Sequence, residues 1–267
     1  VSRSIFKLAK YLAANCLERT LARFIGVSKN DQKVYLVRHG ETSMNAARLL
    51  QGITNANLTA KGQDAADRLG ELLQPVPFAK AFSSDRTRTL ETAKRILAGH
   101  EPKLPLVALS ALREYYFGGL EGDPGNAIMA RTIRRYGLTT AWRAWVGSKR
   151  FPGLVRSIRN ADPTHQAEDF PDLLARARQA FEQVDAQSPD DSDILVVSHG
   201  LLLSALIYQL APDKLPFSLL KNTSVTRIDI VNQKMRVRGV NLTREQDILA
   251  LRHDEPETDD AAKNEAK

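Results

Sequence analysis

The sequence predicts an α/β fold, a three-layer α/β/α sandwich with a mixed, mostly parallel central sheet. Three observations predict it. The runs at 33–37 (KVYLV) and 194–197 (ILVV) are short, apolar and β-branched, as buried strands are. Each leads into a glycine-containing turn, RHG at 38–40 and SHG at 198–200. Around them strand-like and helix-like segments alternate, which is the element order of a layered α/β domain.

The elements follow in order along one main domain, residues 31–250. After the first strand, residues 59–74 read as a helix with Thr59 as cap. Ala65, Ala66, Leu69, Leu72 and Leu73 lie on one face, and Pro75 and Pro77 end it. A strand from Phe78 to Ser83 precedes a helix from about Asp85 to Leu97, and Leu106 to Leu109 suits an edge strand. The run Ile194–Val197 continues through His199 and Gly200 into a helix from about Leu201 to Leu210. Residues 225–231 and 235–240 alternate as paired strands around Asn232 and Gln233.

Three stretches stand apart from this pattern. Residues 1–30 form an extension in which Ile5, Leu8, Leu12, Leu17, Leu21 and Phe24 recur near helical spacing among six basic side chains and one acid, Glu18. That suits an amphipathic helix on the domain or on a second subunit, as in a homodimer. A helix on an anionic membrane surface and an unusual targeting segment are the alternatives. A helical insertion is expected at about 123–170. Its basic part, 131–159, carries eight cations and no acid, together with Tyr136, Trp142, Trp145 and Phe151. Such a stretch fits a lid over an anion site or a solvated helical face. The acidic tail 251–267 has no apolar stripe and is expected to be disordered.

Composition narrows the function classes. The chain has 267 residues, 43% of them hydrophobic, enough for one substantial core. A net charge of +7 fits a small anionic substrate as well as a nucleic acid, but zinc-finger spacing, RNA-binding motifs and long basic blocks are missing, so no nucleic acid is expected. The single cysteine, Cys16, excludes an internal disulfide framework and fits a reducing compartment. The expected location is the cytoplasm, with peripheral membrane attachment as the alternative.

Ligands of α/β sandwiches sit beyond the carboxyl ends of the strands, where RHG and SHG both fall. An isolated histidine is most often structural. His39 differs in following a strand, with Arg38 before it and a glycine after it that permits close backbone approach or a positive φ. A neutral imidazole there is able to attack phosphorus, and neighbouring arginines favour that neutral form while binding phosphoryl oxygens. His199 is open to three readings: general base, metal ligand or oxyanion donor. The spacings HxH and HExxH are absent, which disfavours a metal. Arg86 and Arg88, in SSDRTRTLETA, stand where a helix starts, with Ser84 and Asp85 before them, a place suited to anions. Glu114, in LREYYFGGLEG, is either a general acid whose pKa is raised by burial or a loop ion-pair partner.

The segments VRHGETSMN, SSDRTRTLETA, LREYYFGGLEG and VVSHG occur in this order. Together they resemble the histidine phosphatase superfamily in its phosphoglycerate-mutase-like branch, over about residues 33–245. The resemblance implies that His39 is the nucleophile and Arg38 the arginine beside it. It places the second phosphate-binding arginine on Arg88, because Arg86 occupies the leucine position of the pattern SSxLxRAxQTA. Thr89 and Glu91 also depart from that pattern. Glu114 matches the proton donor and His199 the second pocket histidine. Asn45, Gln51 and Gly52 match polar and loop residues of the phosphate site, and Thr42 matches a residue near phosphate in some members.

What the resemblance implies is a metal-independent phosphomonoester hydrolase with no cofactor, acting through a phosphohistidine on a small anionic phosphate ester. The segment LREYYFGGLEG is closer to the phosphatase pattern LRExxFGxWEG than to the mutase pattern ERxYGxLxGxNK. Leu120 replaces the tryptophan, which would remove a flat wall near the leaving group. Phosphoglycerate mutase-type transfer, a phosphoprotein phosphatase and non-catalytic phosphate binding are the alternatives.

Overall fold

A computed structural model describes residues 32–137, 150–216, 218–231 and 234–253. The six strands are β1 (Gln32–Arg38), β2 (Phe78–Ser84), β3 (Leu106–Leu109), β4 (Asp193–Ser198), β5 (Val225–Val231) and β6 (Lys234–Val237). They form one sheet in the order β3-β2-β4-β1-β5-β6. Pairing is parallel from β3 through β1 and antiparallel for β5 and β6, so the sheet is mixed and mostly parallel, as the sequence predicts.

Successive strand side chains point to opposite faces, and here both faces are apolar. Val34 and Leu36 join Ile194 and Val196 in one core; Tyr35 and Val37 join Leu195 and Val197 in the other. The helices sort accordingly. On the second face lie α2 (Ala60–Leu73), α3 (Thr87–Ile96) and α8 (Glu245–His253), through residues such as Leu69, Leu73, Ile96 and Leu251. On the first lie α5 (Arg150–Ala161), α6 (Phe170–Gln187) and α7 (Gly200–Leu210), with Ile128 of α4 (Asn126–Tyr136) in the same core. A short α1 (Ser43–Ala46) follows β1. As expected, Thr59 caps α2, its hydroxyl accepting the Gly62 N–H at 3.0 Å.

Helices α4 and α5 lie within the expected insertion. The rings of Phe151, Phe170 and Tyr208 pack at centroid distances of 5.5–5.9 Å and join α5 to α6 and α7. Trp142 and Trp145 lie outside the described residues, as do the N-terminal extension up to residue 31, the turn residues Asn232 and Gln233, and residues 254–267.

Three expected boundaries shift for physical reasons. The helix expected from Asp85 starts at Thr87, because Arg86 is extended (φ −82°, ψ 141°) and is itself the N-cap. Strand β6 ends at Val237 instead of 240. The chain bulges at 238–241, where Asn241 takes φ 59°, and Leu242 then pairs with Val225 through two 2.9 Å backbone bonds. The last helix runs past the expected tail boundary at 250 to His253, because Leu251 is buried against the second core and its carbonyl accepts from Arg227.

Arg227 and Asp229 alternate onto the same buried face of β5. Asp229 is 1% exposed and bridges two cations, with Arg227 Nε at 2.7 Å and Arg238 Nε at 2.9 Å. Removing the carboxylate would take the counter-ion from two guanidinium groups, one of them fully buried, which outweighs the desolvation that the substitution relieves. Asp229→Ala is therefore expected to lower unfolding free energy by about 3–5 kcal/mol in urea titrations. A loss below about 1 kcal/mol, the range of an exposed pair, would show that the network adds little.

Candidate active site

The site is built at the carboxyl ends of the parallel strands. Strands β1 and β4 pair in a register that sets Arg38 opposite Ser198, and the His39 N–H donates to the Ser198 carbonyl at 3.0 Å. The residue directly after each strand is a histidine. The two rings meet edge to face, with centroids 5.2 Å apart, and both side chains are buried. Of the two reasons for a glycine after His39, close approach is the one that operates. A Cβ at Gly40 would lie 2.7 Å from the Gly62 carbonyl oxygen, while Gly40 is not among the residues with positive φ.

Hydrogen bonds set both tautomers. His39 Nδ1 lies 2.8 Å from the Gly40 carbonyl, which only accepts, so Nδ1 carries the hydrogen and Nε2 keeps its lone pair. His199 Nδ1 accepts from Arg88 Nε at 3.3 Å, so its hydrogen is on Nε2. Burial is the main force holding both imidazoles well below the ordinary histidine pKa. For His39 the charges of Arg38 and Arg88 add to it; for His199 those of Arg88 and Arg38 do. Both rings are neutral near pH 7.

Burial also lowers the pKa of both arginines, that of Arg88 to about 10, while the Glu114 carboxylate opposes the shift in each. They stay cationic at neutral pH. Arg38 donates to the Leu220 carbonyl. Arg88 is fully buried, its other nitrogens donating to the carbonyls of Thr54 (2.9 Å) and Gly52 (2.8 Å). Arg38 Nε and His199 Nε2 are buried and have no hydrogen-bond partner among the described residues. Glu114 follows β3 and a 3₁₀ turn at Ser110–Leu112. Its carboxylate accepts the N–H groups of Tyr115 (2.8 Å), Leu201 (3.1 Å) and Leu202 (3.2 Å), occupying the free donors at the start of α7. A Cβ at Gly200 would be 3.4 Å from Arg38 Nε and 3.6 Å from Glu114 Oε2, so both groups crowd that helix start.

The structure thus brings His39, Arg38, Arg88, Glu114 and His199 together. Thr42, Asn45, Gln51 and Gly52 are near them but brace the surrounding loops. Thr42 caps α1 and donates to Gln51 Oε1 at 2.7 Å, Asn45 closes the capping box, and Gln51 donates to the Thr54 carbonyl at 3.2 Å. Gly52 is needed for space, since a Cβ there would lie 2.4 Å from the Tyr115 carbonyl.

Sequence reasoning misses several supporting residues. Asn222 donates to the His39 carbonyl and to Asn45 Oδ1, both at 3.0 Å. It precedes β5 in a polar loop that carries no local signal. Glu121 accepts the backbone N–H groups of Gly52 and Ile53, both at 3.1 Å, and its place inside LREYYFGGLEG was the available clue. Arg176 of α6 donates to the carbonyls of Ala111 (3.2 Å) and Glu114 (3.3 Å). Asp162 draws the insertion onto the same loop by accepting from Gly119 N at 2.9 Å.

Leu120 requires a correction: it is completely buried in the first core, so its exchange for tryptophan leaves no open wall. An open cleft of ≈ 540 Å³ extends instead from Glu114 and Gly52 past Arg86 and Arg113. Among the described residues, no group of three or more His, Cys, Asp or Glu side chains is arranged to hold a metal, and no helix is long and apolar enough to cross a membrane.

Comparison with known proteins gives a consistent result. A sequence profile of the histidine phosphatase superfamily (branch 1) matches residues 34–243. The 2,3-bisphosphoglycerate-dependent phosphoglycerate mutase 2 of Gloeobacter violaceus is 32% identical over 177 residues, 66% of this chain and 74% of the relative. The adenosylcobalamin/alpha-ribazole phosphatase of Salmonella typhimurium is 33% identical over 178 residues, 67% of this chain and 79% of the relative. The crystal structure of phosphoglycerate mutase from Bacillus anthracis superposes with a TM-score of 0.76 at 30% identity, covering 84% of this chain and 98% of that one. With profile, relatives and fold in agreement, this chain belongs to the histidine phosphatase superfamily, branch 1, and is an enzyme of histidine-phosphatase-type phosphoryl transfer.

Proposed function

We propose that this enzyme hydrolyses phosphate monoesters of small metabolites through a phosphohistidine on His39, without a metal. One observation carries the reading. The unprotonated Nε2 of a neutral His39 shares its pocket with two buried donors, Arg38 Nε and His199 Nε2, that have no protein acceptor among the described residues. A phosphoryl group supplies acceptors for both and an electrophile for the lone pair.

In the first step His39 Nε2 forms a bond to phosphorus and the ester P–O bond breaks. Glu114 relays a proton, taken up with the phosphate, to the departing alcohol oxygen. Arg38, Arg88 and His199 hold the three phosphoryl oxygens, so the charge that spreads over them meets donors already in place. In the second step ionised Glu114 takes a proton from water, the hydroxide oxygen bonds to phosphorus, and the P–N bond breaks to return neutral His39. Arg38 and His199 stay paired with the phosphoryl oxygens throughout, which is why the lack of a protein acceptor at Arg38 Nε and His199 Nε2 among the described residues matters. LREYYFGGLEG, with its resemblance to the phosphatase pattern, favours water as the acceptor. The mutase names of the Gloeobacter and Bacillus relatives favour a second reading, in which the phosphohistidine returns its group to a phosphoglycerate.

A panel of phosphate esters assayed with a chelator present tests the reading. Wild type should release phosphate, and His39→Ala should lose at least about 1000-fold in kcat, the scale of losing an essential nucleophile. Full activity in that variant would refute the assignment, and loss of wild-type activity on chelation would refute metal independence. Interconversion of 2- and 3-phosphoglycerate faster than phosphate release, with 2,3-bisphosphoglycerate added, would establish the mutase reading.

The neutral histidines also make stability depend on pH. An unfolded histidine takes up a proton near pH 6.5, whereas the folded pKa values of His39 and His199 lie well below that. The unfolded chain therefore binds more protons below about pH 6.5, so stability falls as pH drops through that point and is fully present above it. The slope should approach about 1.4 kcal/mol per pH unit for each histidine, and His39→Gln should remove one share. Urea titrations between about pH 7 and about pH 5.5 measure it; a flat profile would mean that the pair is not held neutral.

A further inference from the structure

The cleft beyond Glu114 contains a cation that the fold leaves uncommitted. In the reading above, Glu114 marks the leaving oxygen, so the cleft it borders receives the alcohol part of the ester. Three arginines line that cleft, Arg86, Arg113 and Arg176. Arg113 is committed to Asp85, its Nε lying 2.8 Å and 3.0 Å from the two carboxylate oxygens. Arg176 is committed to Glu168 at 2.8 Å and 2.6 Å, besides the carbonyls it supports.

Arg86 is different. Its backbone N–H donates to Ser84 Oγ at 3.4 Å, but its guanidinium makes no ion pair among the described residues, and its Nε is buried without a hydrogen-bond partner. Leaving a buried charged donor unmatched is costly, and such groups are retained where a ligand completes them. Arg86 also stands where the motif it resembles has leucine, two residues before Arg88. The rest of the lining is mostly polar and includes Gln166 and Gln183, which suits a hydroxylated ligand rather than an apolar one.

We infer that Arg86 and this cleft form a second anion subsite, which takes a carboxylate or a second phosphate carried on the alcohol part of the substrate. The inference rests on the phosphatase reading for its orientation. Its substrate class is a hydroxylated phosphate ester that is doubly anionic in the sense of carrying a second anionic group besides the phosphate that reacts. The guanidinium would donate to the second anion while Arg38, Arg88 and His199 hold the phosphoryl group that reacts.

Binding measured by calorimetry tests this without turnover, using the full chain with His39→Ala. The probes are glycerol 3-phosphate, 3-phosphoglycerate, which has a carboxylate in place of one hydroxymethyl group, and glycerol 1,3-bisphosphate. The doubly anionic esters should bind more tightly than glycerol 3-phosphate. Adding Arg86→Leu should shrink that preference at least about tenfold, the scale of one charge-assisted hydrogen bond, and Arg86→Lys should restore part of it. Whichever of the two esters loses more identifies the anion. Arg86→Gln keeps a polar side chain without the charge and provides the same test if Arg86→Leu folds poorly. The subsite is overturned if the Kd ratios stay within about twofold on removing the charge, if all three ligands weaken alike, or if neither doubly anionic ester binds. Failure of wild type to release phosphate from any ester would instead remove the phosphatase reading, and the Kd ratios would still decide the role of Arg86.

Discussion

The parallel pairing of β1 with β4 in one register is the constraint on which the site depends. It sets Arg38 beside Ser198 and therefore His39 beside His199. Both faces of these strands are apolar, so burial alone does not choose the register. Tyr35 makes the faces unequal: it packs edge-on against Phe78 at 5.4 Å, on the side that also holds Arg227 and Asp229. A one-residue slip would turn Tyr35 into the other core and displace every neighbour. Overpacking costs about 1–3 kcal/mol at a single site, and several sites would pay it together, against a typical total stability of about 5–15 kcal/mol. The slipped arrangement is therefore not a competitor.

Once the strand ends are aligned, electrostatics decides the state of the groups they carry. Two buried arginines next to two buried histidines would be unstable if every group were charged. The conflict is relieved by keeping both imidazoles neutral and by the Glu114 carboxylate, whose negative charge favours the cationic form of both arginines. The same carboxylate is fixed by backbone N–H groups at the start of α7, so its position follows from the helix rather than from a flexible loop. The arrangement is poised for an anion, since an added phosphoryl group offsets the positive charge that burial makes expensive.

The loops around this centre are held by residues distant in sequence. Arg88 and Glu121 grip the Gly52–Thr54 segment from two sides, one through its carbonyls and the other through its N–H groups. Asn222 reaches back from the loop before β5 to the His39 carbonyl, and Asp162 ties the helical insertion to Gly119, five residues beyond Glu114. Much of what makes the pocket rigid is thus side chain to backbone, which no spacing in the sequence announces. Charge in the cleft follows the same rule. Arg113 and Arg176 pair with the carboxylates of Asp85 and Glu168, whereas Arg86 makes no ion pair among the described residues.

Local sequence patterns carry the α/β class, the two strand–histidine–glycine turns, the Thr59 cap and the four motifs that hold His39, Arg88, Glu114 and His199. These are local patterns of polarity, branching and glycine, legible because each is written over a few neighbouring residues. Tertiary structure decided the rest. It set both histidine tautomers, because a carbonyl and an arginine from other positions select them. It turned Gln51 and Asn45 into loop braces and buried Leu120. It also ended β6 at a bulge and carried the last helix past residue 250. Each of these outcomes depends on which distant groups meet in space, and chain folding brings them together without leaving a mark in the local sequence.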